Sequence, residues 1–97
     1  MANLPSEEFQ SGLRKHLIQP EALQLIPEAM ARKYNVMPLA VSGNTLQVAM
    51  ANLADIIALE ALATHSQMRI EPEIANVGEI QEAIDFNYKA YDEINRQ

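Results

Sequence analysis

The stretch VMPLAVSGNTLQVAM, residues 36–50, decides the fold of this chain. Its first part, Val36 to Val41, is almost continuously apolar and β-branched at both ends, which is typical of a strand. The next three residues, Ser42 to Asn44, form a turn whose central glycine supplies a positive φ. Apolar and polar side chains then alternate from Thr45 to Met50, which predicts a second, half-buried strand. Two strands joined by a short turn predict a β-hairpin.

The residues before the hairpin predict short helical segments. A helical turn is expected at 20–25. Pro27 lacks a backbone N–H and restarts the helix, which then covers 27–34. The first part of the chain, residues 1–19, carries the weakest pattern, and we expect an arm that is partly helical or flexible. The domain itself is expected to span residues 20–97.

The residues after the hairpin predict two longer helices with a strand between them. Asn52 is a candidate N-cap for a helix over 53–65. Residues 68–75 alternate between apolar and charged side chains, which predicts the third strand. A capping-box pattern, Asn76 with a glutamate three residues later, predicts a last helix over 77–91.

Together these elements predict an α+β fold in the order α-β-β-α-β-α, with helices packed on one face of a small three-stranded sheet. The second strand is expected in the centre, because the first and third contain Pro38 and Pro72. Proline cannot donate to a sheet ladder and prefers edge strands. The alternative is a central first strand, with the nitrogen of Pro38 pointing away from a neighbouring strand. The predicted core consists of Leu39, Leu46, Val48, Ile56, Leu59, Ile70, Ile80 and Ile84.

The composition of the chain excludes several classes of function and partner. The chain has 97 residues, 13 acidic and 7 basic, for a net charge of −6. This length predicts one domain, and the negative charge argues against nucleic acid and anionic membrane as partners. Cysteine is absent, which excludes disulfides and thiolate metal sites. Because Asp55 and Glu60 interrupt the longest apolar stretch, we expect no membrane insertion and a cytoplasmic location.

The sequence contains few candidate catalytic residues. The two histidines, His16 and His65, are far apart in sequence and have no acidic neighbour at i±3 or i±4, whereas zinc needs three or four converging ligands. Glu71 and Glu73 share one strand face, either as paired carboxylates or, more commonly, as a solvated or edge-guarding face. The sequence lacks the phosphate-cradling loop G-x-x-x-x-G-K-[ST]. We therefore expect no catalytic residue, metal or cofactor, and no ATP hydrolysis by these residues.

Two groups of side chains are candidates for docking. Apolar residues of the arm recur about every four positions, and an apolar stripe on a marginal helix must find a surface. In the last helix, Phe86 is either core edge or part of an exposed contact patch. Beside carboxylates, which otherwise form a solubilising surface, it suits a partner with an apolar centre and a basic rim. The predicted partner-binding residues are Leu4, Phe9, Leu13, Leu17, Glu82, Asp85 and Phe86.

Residues 26–62 resemble the N-terminal domain of the secretion and pilus-assembly ATPases, namely the type II secretion E-protein and its type IV pilus extension counterparts. The shared motifs are Pro27-Glu28, Ala31-Arg32-Lys33-Tyr34, Val36-Met37-Pro38-Leu39, Leu46-Gln47-Val48-Ala49-Met50, Asn52, Asp55-Ile56 and Leu59 to Leu62. The tail fits as well, through Arg69-Ile70-Glu71-Pro72 and Glu79-Ile80 to Ala83-Ile84, so the resemblance covers about residues 19–91. Leu53 departs from it, because the family usually has proline at that position.

The resemblance implies a non-catalytic protein-interaction domain. Such domains tie a hexameric ATPase to the cytoplasmic domain of an inner-membrane platform protein, which would place this chain at the inner membrane through its partners. The alternative is a regulatory domain that senses a cyclic dinucleotide such as cyclic di-GMP. The family's cyclic di-GMP-binding variety carries paired upstream motifs around Arg-Leu-Gly, and none precedes residue 19. The chain is either a piece of a longer protein or a free-standing copy of the module.

Overall fold

The structure, a computed structural model, describes residues 18–95, with side chains as far as residue 90. Of the predicted arm, only Ile18 and Gln19 belong to the described residues. Its four candidate docking residues lie outside them: Leu4, Phe9, Leu13 and Leu17.

Within residues 18–95 the elements follow the order α-α-β-β-α-β-α. They are α1 (Pro20–Leu25), α2 (Glu28–Tyr34), β1 (Val36–Ser42), β2 (Thr45–Met50), α3 (Ile56–Ser66), β3 (Arg69–Ile74) and α4 (Val77–Asn95). The predicted α+β class and the order of the strands are confirmed. The turn expected at 20–25 is a short helix with proline in its first turn, where a missing N–H costs no hydrogen bond.

The three strands form a mixed sheet in the order β1-β2-β3, so the central position predicted for β2 is confirmed. β1 is antiparallel to β2, and β3 is parallel to it. Pro38 in β1 and Pro72 in β3 both lie opposite Val48 of the central strand. Both prolines thus occupy edge strands, as the missing donor requires. The hairpin turn contains Gly43 with a φ of 63°, which is the positive value expected there.

Most of the predicted core is buried. Leu39, Leu46, Val48, Ile80 and Ile84 are at most 1 % exposed, and Leu59 and Ile70 pack against them as partly buried side chains. α4 packs against β1, β2 and both short helices, whereas α3 packs against β3.

One end of the sheet is buried more deeply than predicted. Successive side chains of a strand point to opposite faces. Val36 and Met37 are nevertheless both fully buried, and so is the pair opposite them, Ala49 and Met50. Both faces are therefore covered where β1 and β2 pair at this end. On the edge strand β3 the charged face stays open, since Arg69, Glu71 and Glu73 are exposed, although Glu73 lies opposite Ala49.

The placement of Ile56 in the core is wrong, because its side chain is 61 % exposed. α3 buries Ala58, Leu62 and Ser66 instead, which recur every four residues along one side of the helix. Ile56 lies two residues before Ala58 and so about 200° around the helix from it. The buried side thus consists of Leu62 with a small side chain one turn before it and another one turn after it.

The N-cap predicted for this helix is also wrong. Asp55, not Asn52, caps α3, because its Oδ1 accepts a hydrogen bond of 3.0 Å from the backbone N–H of Ala58. The Asn52 side chain instead accepts from the N–H of Ala54, at 2.9 Å, and closes a turn before the helix. α3 therefore begins at Ile56, three residues later than expected.

Near the end of the chain, the exposure of Ile74 and the last residue of α4 differ from the prediction, whereas the N-cap of α4 agrees with it. Ile74 continues the apolar alternation of β3 but is 64 % exposed, because it ends an edge strand. The predicted cap of α4 is confirmed, since the Asn76 side chain accepts from the N–H groups of Gly78 and Glu79, at 2.7 and 3.4 Å. The helix continues to Asn95, beyond the predicted end at residue 91.

Candidate docking surface

Helix α4 divides into a buried and an exposed side. Ile80, Ile84 and Tyr88 recur every four residues and are at most 3 % exposed. Phe86 lies on the other side, with 73 % of its side chain exposed. Of the two positions that the sequence allowed for Phe86, core edge or contact patch, the structure shows the exposed one. A large apolar ring is therefore presented to solvent on a helix that is well anchored through its opposite side.

The carboxylates that the sequence grouped with Phe86 lie on the same exposed side. Glu82 is four residues before Phe86 and Asp85 directly precedes it, and both are exposed. Residues four apart are neighbours on a helix surface. The three described residues of the predicted docking set thus come together on α4.

Asp85 is engaged within the domain. Arg32 of α2 donates from Nη2 to Oδ1 of Asp85 at 2.6 Å and from Nε to Oε2 of Glu28 at 2.8 Å. The hydrogen bonds that Arg32 donates to Asp85 and to Glu28 raise the pKa of the guanidinium above its ordinary value. Exposed ion pairs contribute little to stability. Their effect here is to orient Asp85 towards α2.

The other candidate residues that the structure describes are exposed. His65 is exposed in the last turn of α3, and His16 lies outside the described residues. Glu71 and Glu73 are both exposed on β3. Among residues 18–95, no group of three or more His, Cys, Asp or Glu side chains converges on a possible metal position. None of the described helices has the length and apolar character needed to cross a bilayer.

Sequence reasoning missed a second set of exposed apolar side chains. They lie around the start of α3 and around the end of β3, and they are Leu53, Ile56, Ile57, Ile74 and Val77. A signal was present in the sequence: the only acidic or basic residue in the eleven residues of α3, histidine aside, is Glu60. A helix that is apolar nearly all round predicts contacts on two sides.

The family of the chain follows from comparison with known proteins. The model of the MshEN domain matches residues 11–93. The chain belongs to the MshEN domain family. This confirms the resemblance to the N-terminal domains of secretion and pilus-assembly ATPases, which rested on the strand and helix motifs.

Two curated relatives are type IV pilus assembly ATPases named PilB. The protein of Myxococcus xanthus (strain DK1622) is 32 % identical over 77 residues, which are 79 % of this chain and 14 % of that protein. The protein of Acinetobacter baylyi (strain ATCC 33305 / BD413 / ADP1) is 38 % identical over 47 residues, which are 48 % of this chain and 8 % of that protein. The MshEN chain thus spans a small part of the relatives that it matches.

A solved structure, described as MshE with cdg, shares the fold. It aligns with a TM-score of 0.64 and 24 % identity, over 88 % of this chain and 68 % of that chain. The alignment supports the arrangement of sheet and helices seen in the MshEN chain.

Proposed function

We propose that this MshEN domain is a non-catalytic docking domain of a pilus-assembly or secretion ATPase. It would bind the cytoplasmic domain of an inner-membrane platform protein and so place a hexameric motor in the cytoplasm beside the membrane. The PilB relatives support the link to a pilus-assembly ATPase. The observation that carries the docking role is the exposed ring of Phe86 on the outer side of α4.

The chemistry of α4 favours a particular kind of partner. An exposed aromatic side chain gains apolar contact when a partner covers it, and aromatic residues often dominate the energy of an interface. The helix carries five acidic residues and one basic residue, for a net charge of 1 − 5 = −4. A partner that presents an apolar pocket with lysine or arginine around it is complementary in both shape and charge.

The test is a titration of the cytoplasmic domain of the platform protein into this chain and its Phe86→Ala variant. We expect the variant to bind at least about tenfold more weakly, which corresponds to roughly 1.4 kcal/mol, because an interface anchor is removed. Gln81→Ala is the matched control, since Gln81 is exposed on the same helix but offers little apolar area. Equal affinity of Phe86→Ala and wild type would contradict docking through Phe86.

The structural neighbour favours a second candidate function. It is MshE with cdg, an abbreviation of cyclic di-GMP, and it shares the fold of this chain. A regulatory domain that senses a cyclic dinucleotide is therefore the alternative. Phosphate groups are commonly held by arginine forks. Of the arginines in the described part of the chain, Arg32 is engaged by two carboxylates and Arg69 is exposed on β3.

Calorimetric titration of the full chain with cyclic di-GMP decides between the two functions. Saturable binding with one ligand per chain would favour the regulatory role. Cyclic di-AMP is the matched control for the guanine base, and a variant with Arg69→Ala tests whether the exposed arginine takes part. Absence of heat with cyclic di-GMP, together with Phe86-dependent binding of the platform domain, would support docking alone.

A further inference from the structure

The outer side of α3 is apolar and uncovered. Ile56 is 61 % exposed and Ile57 is 72 % exposed, both in the first turn of the helix. Leu53, in the turn just before the helix, is 43 % exposed. The opposite side of the helix supplies its contact with the rest of the domain, through Ala58, Leu62 and Ser66.

The chain places two more exposed apolar residues at the same end of the sheet. β2 and β3 are parallel, so their carboxyl ends meet at one edge, where the N–H of Ala75 donates to the carbonyl of Met50 at 2.9 Å. α3 begins shortly after β2 ends, and α4 begins shortly after β3 ends. We call the five exposed side chains at this end the strand-end patch: Leu53, Ile56, Ile57, Ile74 and Val77.

The concentration of these residues is what distinguishes the patch. Single exposed apolar residues are normal on protein surfaces. In the described part of the chain, six large apolar side chains are exposed, and five of them belong to the strand-end patch. The sixth is Phe86, nine residues after Val77 and so about 13 Å farther along α4. The patch and Phe86 are therefore separate surfaces.

The charges near the strand-end patch indicate what kind of partner can bind there. Asp55 and Glu60 flank Ile56 and Ile57 in the sequence, and Glu79 follows Val77 by two residues. No lysine or arginine occurs between Lys33 and Arg69. None occurs between Arg69 and Lys89 either. A second copy of the chain would bring acidic rims together, which is unfavourable, and an anionic membrane would be repelled. A segment with basic residues beside an apolar stripe is complementary.

We propose that the strand-end patch binds an amphipathic helix of a partner protein, apolar on one face and flanked by lysine or arginine. Such a helix lays its apolar face on Ile56 and Ile57 and places its basic residues near Glu60. This mode of recognition uses apolar anchors spaced three and four residues apart. The proposal goes beyond docking through Phe86 and does not depend on it.

The experiment uses the full 97-residue chain, labelled with ¹⁵N, and a synthetic 18-residue amphipathic peptide of leucine and lysine as the probe. We expect the peptide to shift amide signals of residues 53–57 and 74–77. The Ile56→Ser/Ile57→Ser double variant is expected to bind at least tenfold more weakly, and so is Glu60→Lys. A peptide with glutamate in place of lysine is the matched control and is expected not to bind. Urea melts verify that each variant folds.

Four results would overturn the proposal. The first is equal binding by wild type and the double variant. The second is equal binding of the lysine and glutamate peptides, which would make the contact a non-specific apolar one. The third is a concentration-dependent dimer in sedimentation that the double variant abolishes, which would make a second copy the occupant. Loss of peptide binding in Phe86→Ala but not in the double variant would equally place the site on α4.

Discussion

The hydroxyl group of Tyr88 donates a hydrogen bond of 2.6 Å to the backbone carbonyl of Ile26, across 62 residues of sequence. Tyr88 is 3 % exposed and Ile26 is fully buried. Ile26 lies between α1 and α2, where the backbone is extended and its carbonyl cannot join a helical ladder. The bond therefore satisfies a buried acceptor and fixes α4, the helix that carries Phe86, against the first helices.

We predict that Tyr88→Phe destabilises the domain. The ring still fills its place, but the Ile26 carbonyl is left buried without its partner, which costs about 1–3 kcal/mol. Urea denaturation followed by circular dichroism measures the loss. Tyr34→Phe is the control, because it removes a hydroxyl from a half-buried tyrosine of α2. An unchanged midpoint in Tyr88→Phe would mean that water or another donor replaces the hydroxyl.

Stability is predicted to fall at alkaline pH, and Tyr88 is the reason. Burial, with a smaller contribution from the charge of Glu28, raises the pKa of Tyr88 well above its ordinary 10.0. Above pH 10 the unfolded chain has released this proton while the folded chain retains it, so stability falls as pH rises. Below pH 10 the hydroxyl is protonated in both states, and its contribution is fully present.

Urea melts between pH 8 and pH 11 measure this slope. Tyr88→Phe is expected to be less stable at pH 8 but to lose less stability on going to pH 11, because the titrating group is gone. Parallel curves for wild type and Tyr88→Phe would show that Tyr88 does not cause the alkaline loss.

The hairpin and the sheet are the parts of the fold that the sequence predicted best. Three local features predicted the strands and their order: the alternation in β2, the glycine in the turn and the two prolines. Each of them reflects backbone chemistry that tertiary context rarely overrides. In α3, seven of the first eight side chains are apolar, so the periodicity did not select a buried side. The structure buries Ala58, Leu62 and Ser66, and that side depends on the surface on which the helix packs.

The two capping candidates of α3 give a direct comparison. Asp55 caps the helix through the Ala58 N–H, whereas Asn52 bonds to Ala54 in the preceding turn. We predict that Asp55→Ala costs about 0.5–2 kcal/mol, as the loss of an N-cap does. Asn52→Ala is expected to cost less, because the turn that it closes is exposed. Urea melts of the two variants compare them, and a larger loss in Asn52→Ala would reverse the assignment.

Val48 lies at the centre of the sheet, opposite Pro38 on one side and Pro72 on the other, and is fully buried. We predict that Val48→Ala destabilises the domain by roughly 1–3 kcal/mol, since removing buried methyl groups leaves a cavity. Glu71→Ala, at an exposed position of β3, is the control and should stay near wild type. A wild-type denaturation midpoint in Val48→Ala would mean that the inward face is misassigned.

The candidate site was predictable only in part. Phe86 was a candidate because a large aromatic residue stood off the Ile80–Ile84–Tyr88 stripe among carboxylates, but the sequence did not decide between the core edge and an exposed patch. The ion pair between Arg32 and Asp85 was not, since the two residues are 53 positions apart and meet only through the packing of α2 on α4. The strand-end patch was missed because its members come from two segments that the parallel pairing of β2 and β3 brings to one edge.

Substitution of Phe86 is expected to weaken partner binding while leaving the stability of the domain nearly unchanged. Its side chain is 73 % exposed, whereas Ile84, two residues earlier on the same helix, is 1 % exposed. We predict that Phe86→Ala changes the free energy of unfolding by no more than about 0.5 kcal/mol, because exposed substitutions away from caps and pairs have small effects. Ile84→Ala is the matched control and should cost about 2–5 kcal/mol through the cavity that it opens. Urea melts of both variants, with platform-domain affinity measured on the same samples, provide the comparison. A loss of stability in Phe86→Ala close to that of Ile84→Ala would assign Phe86 to the core, and weaker partner binding could then no longer be attributed to a lost contact.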